Sequence, residues 1–435
     1  MAKKSTTETE VQNVETVFSD TADTITIPKR MTKLEAAREL ELQHAEEEKI
    51  VEKVKIFEGW SYNDALVAAM RVSMTTFGWI NAKATKGMFG DDILPQEVAI
   101  QTDVDKYEDC FVGQFRIAAW DGAVAEVSAT GRPAKAYVKI TAKRKFGDRI
   151  DEYFRAIETE LVTNSIYKGK CLLWESNGGF TFIENRGADD IVLNANEQLV
   201  LDNFIIKPLL SGKKEKRGIL FAGPYGTGKT ETALKIGRVA NAAGQTFIYC
   251  KDRNLAEVLE IAKHYQPSIV FVEDIDEMAS GERDDEINDL LNTIDGIQTK
   301  GQGITLIMTT NHKEKINQAF RRPGRIDVVL NFDLPNKDTI AVMYRKFLGE
   351  GQNVDFNKLA EMTPEVQGAV VKEIANRAML SVDDGDSLND KHVETSIELT
   401  RMQIDFMREP AVITDTSLDK GFRKIINEEV NDIIN

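Results

Sequence analysis

The chain has 435 residues, of which 42% are hydrophobic and 29% charged, and its net charge is −16 because 71 acidic residues outnumber 55 basic ones. This size and composition allow a sizeable core and about two to three domains of ~150 residues. The acidic balance argues against electrostatic binding of nucleic acid by the whole protein and leaves only a local basic patch open.

No stretch approaches the ~20 consecutive apolar residues that span a bilayer, so we expect no membrane segment. Three widely spaced cysteines, Cys110, Cys171 and Cys250, and four scattered histidines match neither a disulfide framework nor a zinc-binding pattern. The first residues also lack the apolar segment of a secretory signal. We therefore expect a cytoplasmic protein.

The N-terminal part of the chain is predicted to begin with a disordered tail followed by helices. Residues 1–27 are rich in Thr, Glu, Ser and Asp, a composition typical of disorder. Residues 31–57 contain many helix formers, with apolar side chains at helical spacing and a heavily charged outer face. They predict a surface helix, with a coiled-coil partner helix as the alternative. Residues 60–90 also have a helical pattern.

Between residues 97 and 143 the pattern changes to short runs of strand formers punctuated by glycine. A helix is predicted over residues 147–165. Two short apolar runs then flank Asn177-Gly178, a dipeptide that favours the tight turn of a β-hairpin. We expect a small mixed α+β domain here, and no motif in it indicates a function.

From residue 191 onward, short apolar runs alternate with helical stretches, which is typical of a parallel sheet covered by helices on both faces. These runs are residues 217–222, 245–250, 268–272 and 303–308. After Pro335 only helical patterns follow. The sequence therefore predicts an α/β core with a helical subdomain behind it.

A phosphate-binding loop is the most specific motif in the chain. The pattern GxxxxGK[ST] is matched by Gly223, Pro224, Tyr225, Gly226, Thr227, Gly228, Lys229 and Thr230, and Glu231 follows in the same predicted nucleotide-binding set. Glycines let several backbone N–H groups point at one anion, and the following helix adds its positive N-terminus. Lys229 can reach the phosphates, and the Thr230 hydroxyl can bind magnesium.

Carboxylates follow the apolar run Ser268–Val272, where the carboxyl end of a parallel strand would meet a ligand. A nucleotide site needs one carboxylate to hold magnesium and another to polarise the attacking water. Glu273 and Asp274 are the candidates. Asp276, two residues further on, fits a surface charge equally well.

The next apolar strand ends in Thr309, Thr310 and Asn311. An amide at a strand end could orient water against a γ-phosphate. Arg322 and Arg325 follow around a Pro-Gly turn. They would either bind surface carboxylates or reach the γ-phosphate of a neighbouring subunit and stabilise the charge of the transition state.

With these residues together, the stretch from about 190 to 400 resembles an AAA+ ATPase of the AAA subgroup. The resemblance assigns the phosphate loop as Walker A, Glu273-Asp274 as Walker B and Asn311 as sensor 1. It assigns Arg322 and Arg325 as arginine fingers within the stretch 318–327, which resembles the second region of homology. Gly368-Ala369 corresponds to the lid turn near the adenine. It implies that ATP and magnesium (Mg2+) bind here. It also implies a ring, usually a hexamer, with sites shared between subunits.

The implied fold class is α/β: a P-loop parallel-sheet core of five strands with a C-terminal all-helical lid, preceded by a mixed α+β N-terminal domain and a disordered tail. The predicted boundaries are a tail at 1–27, an N-terminal adaptor or recognition region at 28–188, the AAA+ core at 189–335, and the lid with a C-terminal tail at 336–435.

Two features depart from the family pattern. The family usually has Asp followed by Glu in Walker B, whereas this chain has Glu273 followed by Asp274. We assign Glu273 to the metal and Asp274 to water activation, with Asn311, Arg322 and Arg325 completing the catalytic set. The family's aromatic pore loop is also not apparent after Tyr249, which puts threading of a polypeptide in doubt.

Three functions remain open. The first is an ATP-driven ring that remodels or moves a macromolecular partner, with a protein partner favoured. The second is an ATP-dependent DNA-transaction factor, for which nucleic acid is possible but not favoured by the acidic charge. The third is a nucleotide-binding scaffold with little turnover, for which the Glu-Asp order argues mildly.

Overall fold

The computed structural model describes residues 31–77, 81–86, 92–131, 134–175, 179–184, 191–211, 217–251, 255–276, 303–315, 325–350, 352–382 and 386–408. The predicted tail at 1–27 lies outside these ranges. The helices described are α1 Lys33–Glu47, α2 Tyr62–Phe77, α3 Gly147–Asn164, α4 Ala195–Val200, α5 Lys207–Leu210, α6 Lys229–Ala242, α7 Leu255–Ala262, α8 Lys337–Leu348, α9 Phe356–Met362, α10 Gly368–Leu380 and α11 Asp390–Arg408.

The strands fall into two larger sheets and one short pair. In chain order they are β1 Ile50–Ile56, β2 Asn81–Lys83, β3 Thr85–Lys86, β4 Asp92–Ile93, β5 Gln96–Asp103, β6 Lys106–Ile117, β7 Ala123–Thr130, β8 Lys135–Lys143, β9 Cys171–Trp174, β10 Phe180–Phe182, β11 Arg217–Ala222, β12 Thr246–Cys250, β13 Ser268–Val272, β14 Ile304–Thr310 and β15 Val328–Asn331.

The N-terminal sheet is antiparallel, with strand order β1-β8-β7-β6-β2 and β5 paired to β6. Burial alternates residue by residue along β8, because successive side chains point to opposite faces. Helices α2 and α3 pack against this sheet. The mixed α+β domain expected from the sequence is therefore present, with one face of its sheet covered by helices.

The prediction of helix across residues 31–57 is wrong in its second half. The chain leaves α1 after Glu47 and forms β1, which pairs in antiparallel register with β8 from Ile50↔Lys143 to Ile56↔Tyr137. The charged residues in this segment are good helix formers, but local propensity is a weak preference that tertiary pairing overrides. A strand here forms backbone hydrogen bonds with the edge of the sheet, whereas a helix could not pair with that edge.

Within the described residues, the second sheet has seven strands in the order β10-β9-β12-β13-β14-β11-β15. All neighbours from β9 to β15 are parallel, and only β10 runs antiparallel, at the edge. Every residue of β13 and of β14 is buried. Such strands are covered on both faces of the sheet, as their apolar sequences predicted. The predicted α/β P-loop fold class is therefore confirmed.

The hairpin β9–β10 extends this sheet beyond the five strands that the resemblance implied. Strand β9 pairs with β12 in parallel, from Cys171↔Phe247 to Trp174↔Cys250. The hairpin was predicted within the region 28–188, but by pairing it belongs to the sheet of the core. Its turn at Asn177-Gly178 lies outside the described residues, and the domain boundary at 189 stays a prediction.

The two sheets are joined through one continuous hydrophobic core. Tyr265, which is fully buried just after α7, accepts a hydrogen bond from the Ser61 N–H at 3.1 Å, and its ring packs edge-on against Trp60. Nearby, Asp64 is 1% exposed and accepts hydrogen bonds from the Ser165 hydroxyl and the Ile166 N–H. Burial raises the pKa of Asp64 to about 6, against these hydrogen bonds.

The C-terminal helices α8 to α11 form a subdomain with its own core, as predicted from the patterns after Pro335. The segment before α4 is hydrogen-bonded to the start of this lid. The Asn194 side chain donates to the Leu334 carbonyl at 3.2 Å and accepts from the Asn336 N–H and the Thr339 hydroxyl. The lid therefore begins at a fixed point beside the end of β15.

Candidate functional site

The predicted phosphate loop, residues 223–230, connects the end of β11 to the start of α6. Gly226 and Gly228 have φ angles of +72° and +98°, which residues other than glycine rarely adopt. A Cβ added to Gly223 would lie 2.2 Å from the Phe332 carbonyl oxygen, so the loop can approach β15 only with glycine there. The backbone conformation thus explains the glycine spacing of the motif.

Lys229 is 7% exposed and points its ammonium group into the curve of this loop. Its Nζ donates to the carbonyl oxygens of Gly223 at 2.8 Å and Pro224 at 2.7 Å, and to Asn311 Oδ1 at 2.7 Å. Burial lowers the pKa of Lys229, while nearby carboxylates act in the opposite direction. The loop therefore holds one cation at its centre, where a phosphate group would be bound.

Asn311 links Lys229 to the predicted water activator. While its Oδ1 accepts from Lys229, its Nδ2 donates to Asp274 Oδ1 at 2.7 Å. The Asp274 N–H in turn donates to the Thr309 hydroxyl at 3.1 Å, and Asp274 has a φ of +47° in the left-handed region. A non-glycine residue in this conformation persists only where its surroundings fix it, and both partners come from β14 and its end.

Glu273 faces the start of α6 and uses both carboxylate oxygens. Its Oε1 accepts from the Thr230 hydroxyl, and its Oε2 accepts from the Tyr249 hydroxyl at the end of β12. Burial raises the pKa of Tyr249 far above its usual range, so the phenol remains a hydrogen-bond donor. The hydroxyl and the carboxylate are hard oxygen donors of the kind that Mg²⁺ prefers.

Asp276, which the sequence could assign either to the site or to a surface charge, has a structural role. It is 4% exposed and accepts from the Thr310 hydroxyl at 2.7 Å, and Thr310 in turn accepts from the His312 N–H. This pair ties the segment after β13 to the end of β14. The carboxylate is therefore neither a surface charge nor a ligand of the phosphate loop.

A cavity of about 410 Å³ lies over the phosphate loop and continues toward the lid. Gly368 and Ala369 open α10 beside it, and the Ala369 N–H donates to the Gly226 carbonyl at 3.0 Å. The predicted lid turn is thus in direct contact with the loop. The cavity is also lined by residues that sequence reasoning missed, namely Ile191, Val192, Thr309, Met343, Phe347 and Lys372.

The other predicted loop residues occupy its outer rim. Tyr225 is 64% exposed, with its ring centroid 6.0 Å from the Lys229 ammonium. The Thr227 hydroxyl donates to the Pro224 carbonyl at 2.8 Å, which closes the turn. Tyr225, Thr227 and Glu231 all line the cavity. Tyr249 was missed as a site residue because a tyrosine within an apolar run carries no motif.

Of the two predicted arginines, Arg325 is not among the residues that line this cavity. Arg322 lies outside the described residues. Arg325 packs its backbone against Gly218, where an added Cβ would be 1.6 Å from the Arg325 carbonyl oxygen. Gly218 belongs to the amino end of β11, and the phosphate loop begins at its carboxyl end, about 16 Å away at 3.3 Å per residue. The structure thus separates Arg325 from the phosphate loop of its own chain.

Within the described ranges, no helix is long and apolar enough to cross a membrane. In the same part of the chain, no three His, Cys, Asp or Glu side chains gather into a group that could hold a metal ion. The predicted magnesium ligands, Thr230 and Glu273, number only two, which fits an ion that takes its remaining ligands from phosphate and water.

Comparison with known proteins places a family domain on this site. Residues 219–334 match the model of the ATPase family associated with various cellular activities (AAA). The chain is 30% identical over 227 residues to the ATP-dependent zinc metalloprotease FTSH 1, chloroplastic, of Arabidopsis thaliana, covering 46% of this chain and 31% of that protein. It is 31% identical over 193 residues to the ATP-dependent zinc metalloprotease YME1 homolog of Schistosoma mansoni, covering 39% and 28%.

A third relative is the ATP-dependent zinc metalloprotease FtsH of Rubrobacter xylanophilus, 30% identical over 251 residues, with coverage of 51% of this chain and 36% of that protein. The chain thus spans about a third of the length of these curated relatives. Among solved structures, that of the FIGL-1 AAA domain in complex with ADP matches 55% of this chain and 89% of that one, with 18% identity and a TM-score of 0.41.

Proposed function

We propose that this chain, in which residues 219–334 match the AAA family model, binds ATP at the phosphate loop and hydrolyses it to ADP and phosphate. The observation that carries this proposal is the hydrogen-bonded path from Lys229 through Asn311 to Asp274. The path joins the cation that would hold the phosphates to a carboxylate that can accept a proton from water.

In the proposed reaction, loop N–H groups and Lys229 hold the β- and γ-phosphates. Asn311 keeps the Asp274 carboxylate directed toward the position of the γ-phosphate. A water oxygen attacks the γ-phosphorus as the bond to the β–γ bridging oxygen breaks, and an Asp274 oxygen takes the water proton. Thr230 and Glu273 would hold magnesium, which when bound neutralises phosphate charge.

We further propose that the active protein is a homo-oligomer, with a hexameric ring favoured. The support is the position of Arg325, which the length of β11 separates from its own phosphate loop. An arginine there serves catalysis only by approaching the site of a neighbouring subunit, where it would stabilise charge in the transition state. Arg322 is proposed to act with it.

The proposed partner is a protein that the ring remodels or moves. The relatives named above are ATP-dependent proteases, so their ATPase parts act in the handling of proteins. A DNA-transaction role is less well supported, because basic side chains on the N-terminal sheet and directly after β8 are paired with carboxylates. The pairs include Lys139–Glu126, Lys143–Glu48, Arg144–Glu46 and Lys53–Asp151.

The test of ATP hydrolysis compares two variants in the full chain. Asp274→Asn should bind a fluorescent ATP analogue within about threefold of the unmodified protein but lose at least about 100-fold in turnover, since it removes the proton acceptor alone. Lys229→Ala should lose both binding and turnover. Lys235→Ala on the same helix is the matched control and should change neither.

Undiminished phosphate release in Asp274→Asn would show that another group activates the water. Unchanged nucleotide affinity in Lys229→Ala would remove the phosphate assignment.

The shared site is tested by mixing inactive variants. An Arg322→Ala/Arg325→Ala chain keeps its phosphate loop, and a Lys229→Ala chain keeps its arginines. Mixed rings would therefore contain some complete sites, so we expect part of the ATPase rate to return. A mixture as inactive as either variant alone, in assemblies shown to exchange subunits, would contradict a site shared between chains.

A further inference from the structure

Glu273 is held on both sides by hydroxyl groups from two different elements. Thr230 donates to one carboxylate oxygen from the first turn of α6, and Tyr249 donates to the other from β12. A glutamate has one more rotatable bond than an aspartate, so its carboxylate is less well fixed by its own backbone. The two donors remove that freedom.

The phenol of Tyr249 is itself held in place. Tyr249 is the register partner of Phe271 in the parallel pairing of β12 with β13, and the two rings stack with centroids 4.9 Å apart and an interplanar angle of 29°. The Lys251 ammonium also lies over the Tyr249 ring, 5.1 Å from its centroid. The hydroxyl is therefore presented to Glu273 by a packed ring and not by a mobile side chain.

Asp274 is held by a separate set of partners. Thr309 and Asn311, both contributed by β14 and its end, bind its N–H and one of its carboxylate oxygens. The adjacent carboxylates thus point to different partners although they are consecutive in sequence. The positive φ of Asp274 is the backbone turn that separates them.

We propose that Tyr249 is a positioning residue that orients Glu273 toward the Thr230 hydroxyl, so that the longer carboxylate serves as the magnesium ligand and Asp274 stays directed at the attacking water. This inference rests on the proposed ATPase function and adds a residue to it. Tyr249 touches neither nucleotide nor metal in this role and acts through Glu273 alone.

The experiment measures equilibrium binding of a fluorescent ATP analogue to the full chain over a series of MgCl₂ concentrations. Tyr249→Phe removes only the hydroxyl and keeps the stacked ring. We expect it to raise the magnesium concentration for half-maximal affinity about 3- to 10-fold, because a hydrogen bond to a charged group is lost. Affinity without magnesium should stay within about twofold.

Two further variants make the test specific. In a Glu273→Asp background the shorter carboxylate no longer reaches Tyr249, so adding Tyr249→Phe should change the magnesium dependence by less than about twofold. Tyr107→Phe, at a tyrosine 63% exposed on β6, is the matched control and should behave as the unmodified chain. Circular dichroism should show Tyr249→Phe folded as the unmodified protein.

An unchanged magnesium dependence in Tyr249→Phe would overturn the inference. Equal losses of affinity with and without magnesium would also overturn it, because they would assign Tyr249 to packing. If the unmodified chain bound no ATP analogue at any magnesium concentration, the proposed function itself would fail. If the unmodified chain binds the ATP analogue in a magnesium-dependent way and Tyr249→Phe shows the same dependence, the role of Tyr249 is rejected while the proposed function stands.

Discussion

The two sheets of this protein differ in how their faces are used. Strands β13 and β14 of the parallel sheet are buried at every residue, and the polar groups of the candidate site follow their carboxyl ends. Strand β8 of the antiparallel sheet alternates between buried and half-buried residues. Its open side carries charge pairs such as Lys139–Glu126. A sheet covered on both faces can bind ligands only at its edge, whereas a half-open sheet offers a face.

The sheets nevertheless belong to one packed body. Ser61 and Trp60, which precede α2, meet Tyr265, which follows α7, in a single core. Protein interiors are close-packed, so a shift on one side of such a core displaces the other. If hydrolysis moves the core, we expect the N-terminal sheet to move with it rather than swing on a linker.

The largest effect is expected from breaking this junction. Tyr265→Ala should destabilise the protein by about 3–5 kcal/mol, because it leaves a cavity among buried aromatic rings and an unsatisfied Ser61 N–H. Calorimetry should show both sheets unfolding in one transition, at a lower temperature than in the unmodified chain. Binding of the ATP analogue should raise the midpoint temperature of that single transition.

Tyr265→Phe is the matched variant, since it keeps the ring and removes the hydroxyl, which accepts from the Ser61 N–H and also hydrogen-bonds to Asp64. It should cost about 1–3 kcal/mol. Two separate transitions, with only one of them shifted by Tyr265→Ala or by nucleotide, would show that the sheets are independent units after all.

A smaller, pH-dependent effect is expected from Asp64 beside the same junction. Its pKa is raised by burial from its ordinary value of 3.8 to about 6, so the folded state binds the proton more tightly than the unfolded chain. This contribution to stability is complete below about pH 4 and is lost as pH rises through about 6, a change of about 3 kcal/mol. Asp64→Asn should remove it.

The measurement is the unfolding free energy of the unmodified chain minus that of Asp64→Asn, followed from pH 4 to pH 7. We expect this difference to fall by about 2–3 kcal/mol over this range and to level off above pH 6. A difference that is flat, or that rises with pH, would mean that Asp64 is not buried at the junction as the structure has it.

Sequence reasoning succeeded where a backbone conformation demands particular residue types. The spacing of Gly223, Gly226 and Gly228 before Lys229 specified a loop whose φ angles and close approach to β15 require glycine. It failed at β1, where good helix formers adopt a strand because β8 offers an unpaired edge 80 or more residues away in the chain. No local pattern contains that information.

The sequence by itself determined the covered parallel sheet, the phosphate loop, the helical lid and the polar strand ends, because each depends on local spacing and on the burial of continuous apolar runs. Only the tertiary structure decided which partners those polar groups take. It brought Tyr249 to Glu273, set Asn311 between Lys229 and Asp274, and fused the two sheets through Tyr265. Such contacts join residues from different strands and helices, so they form only when the fold brings those elements together.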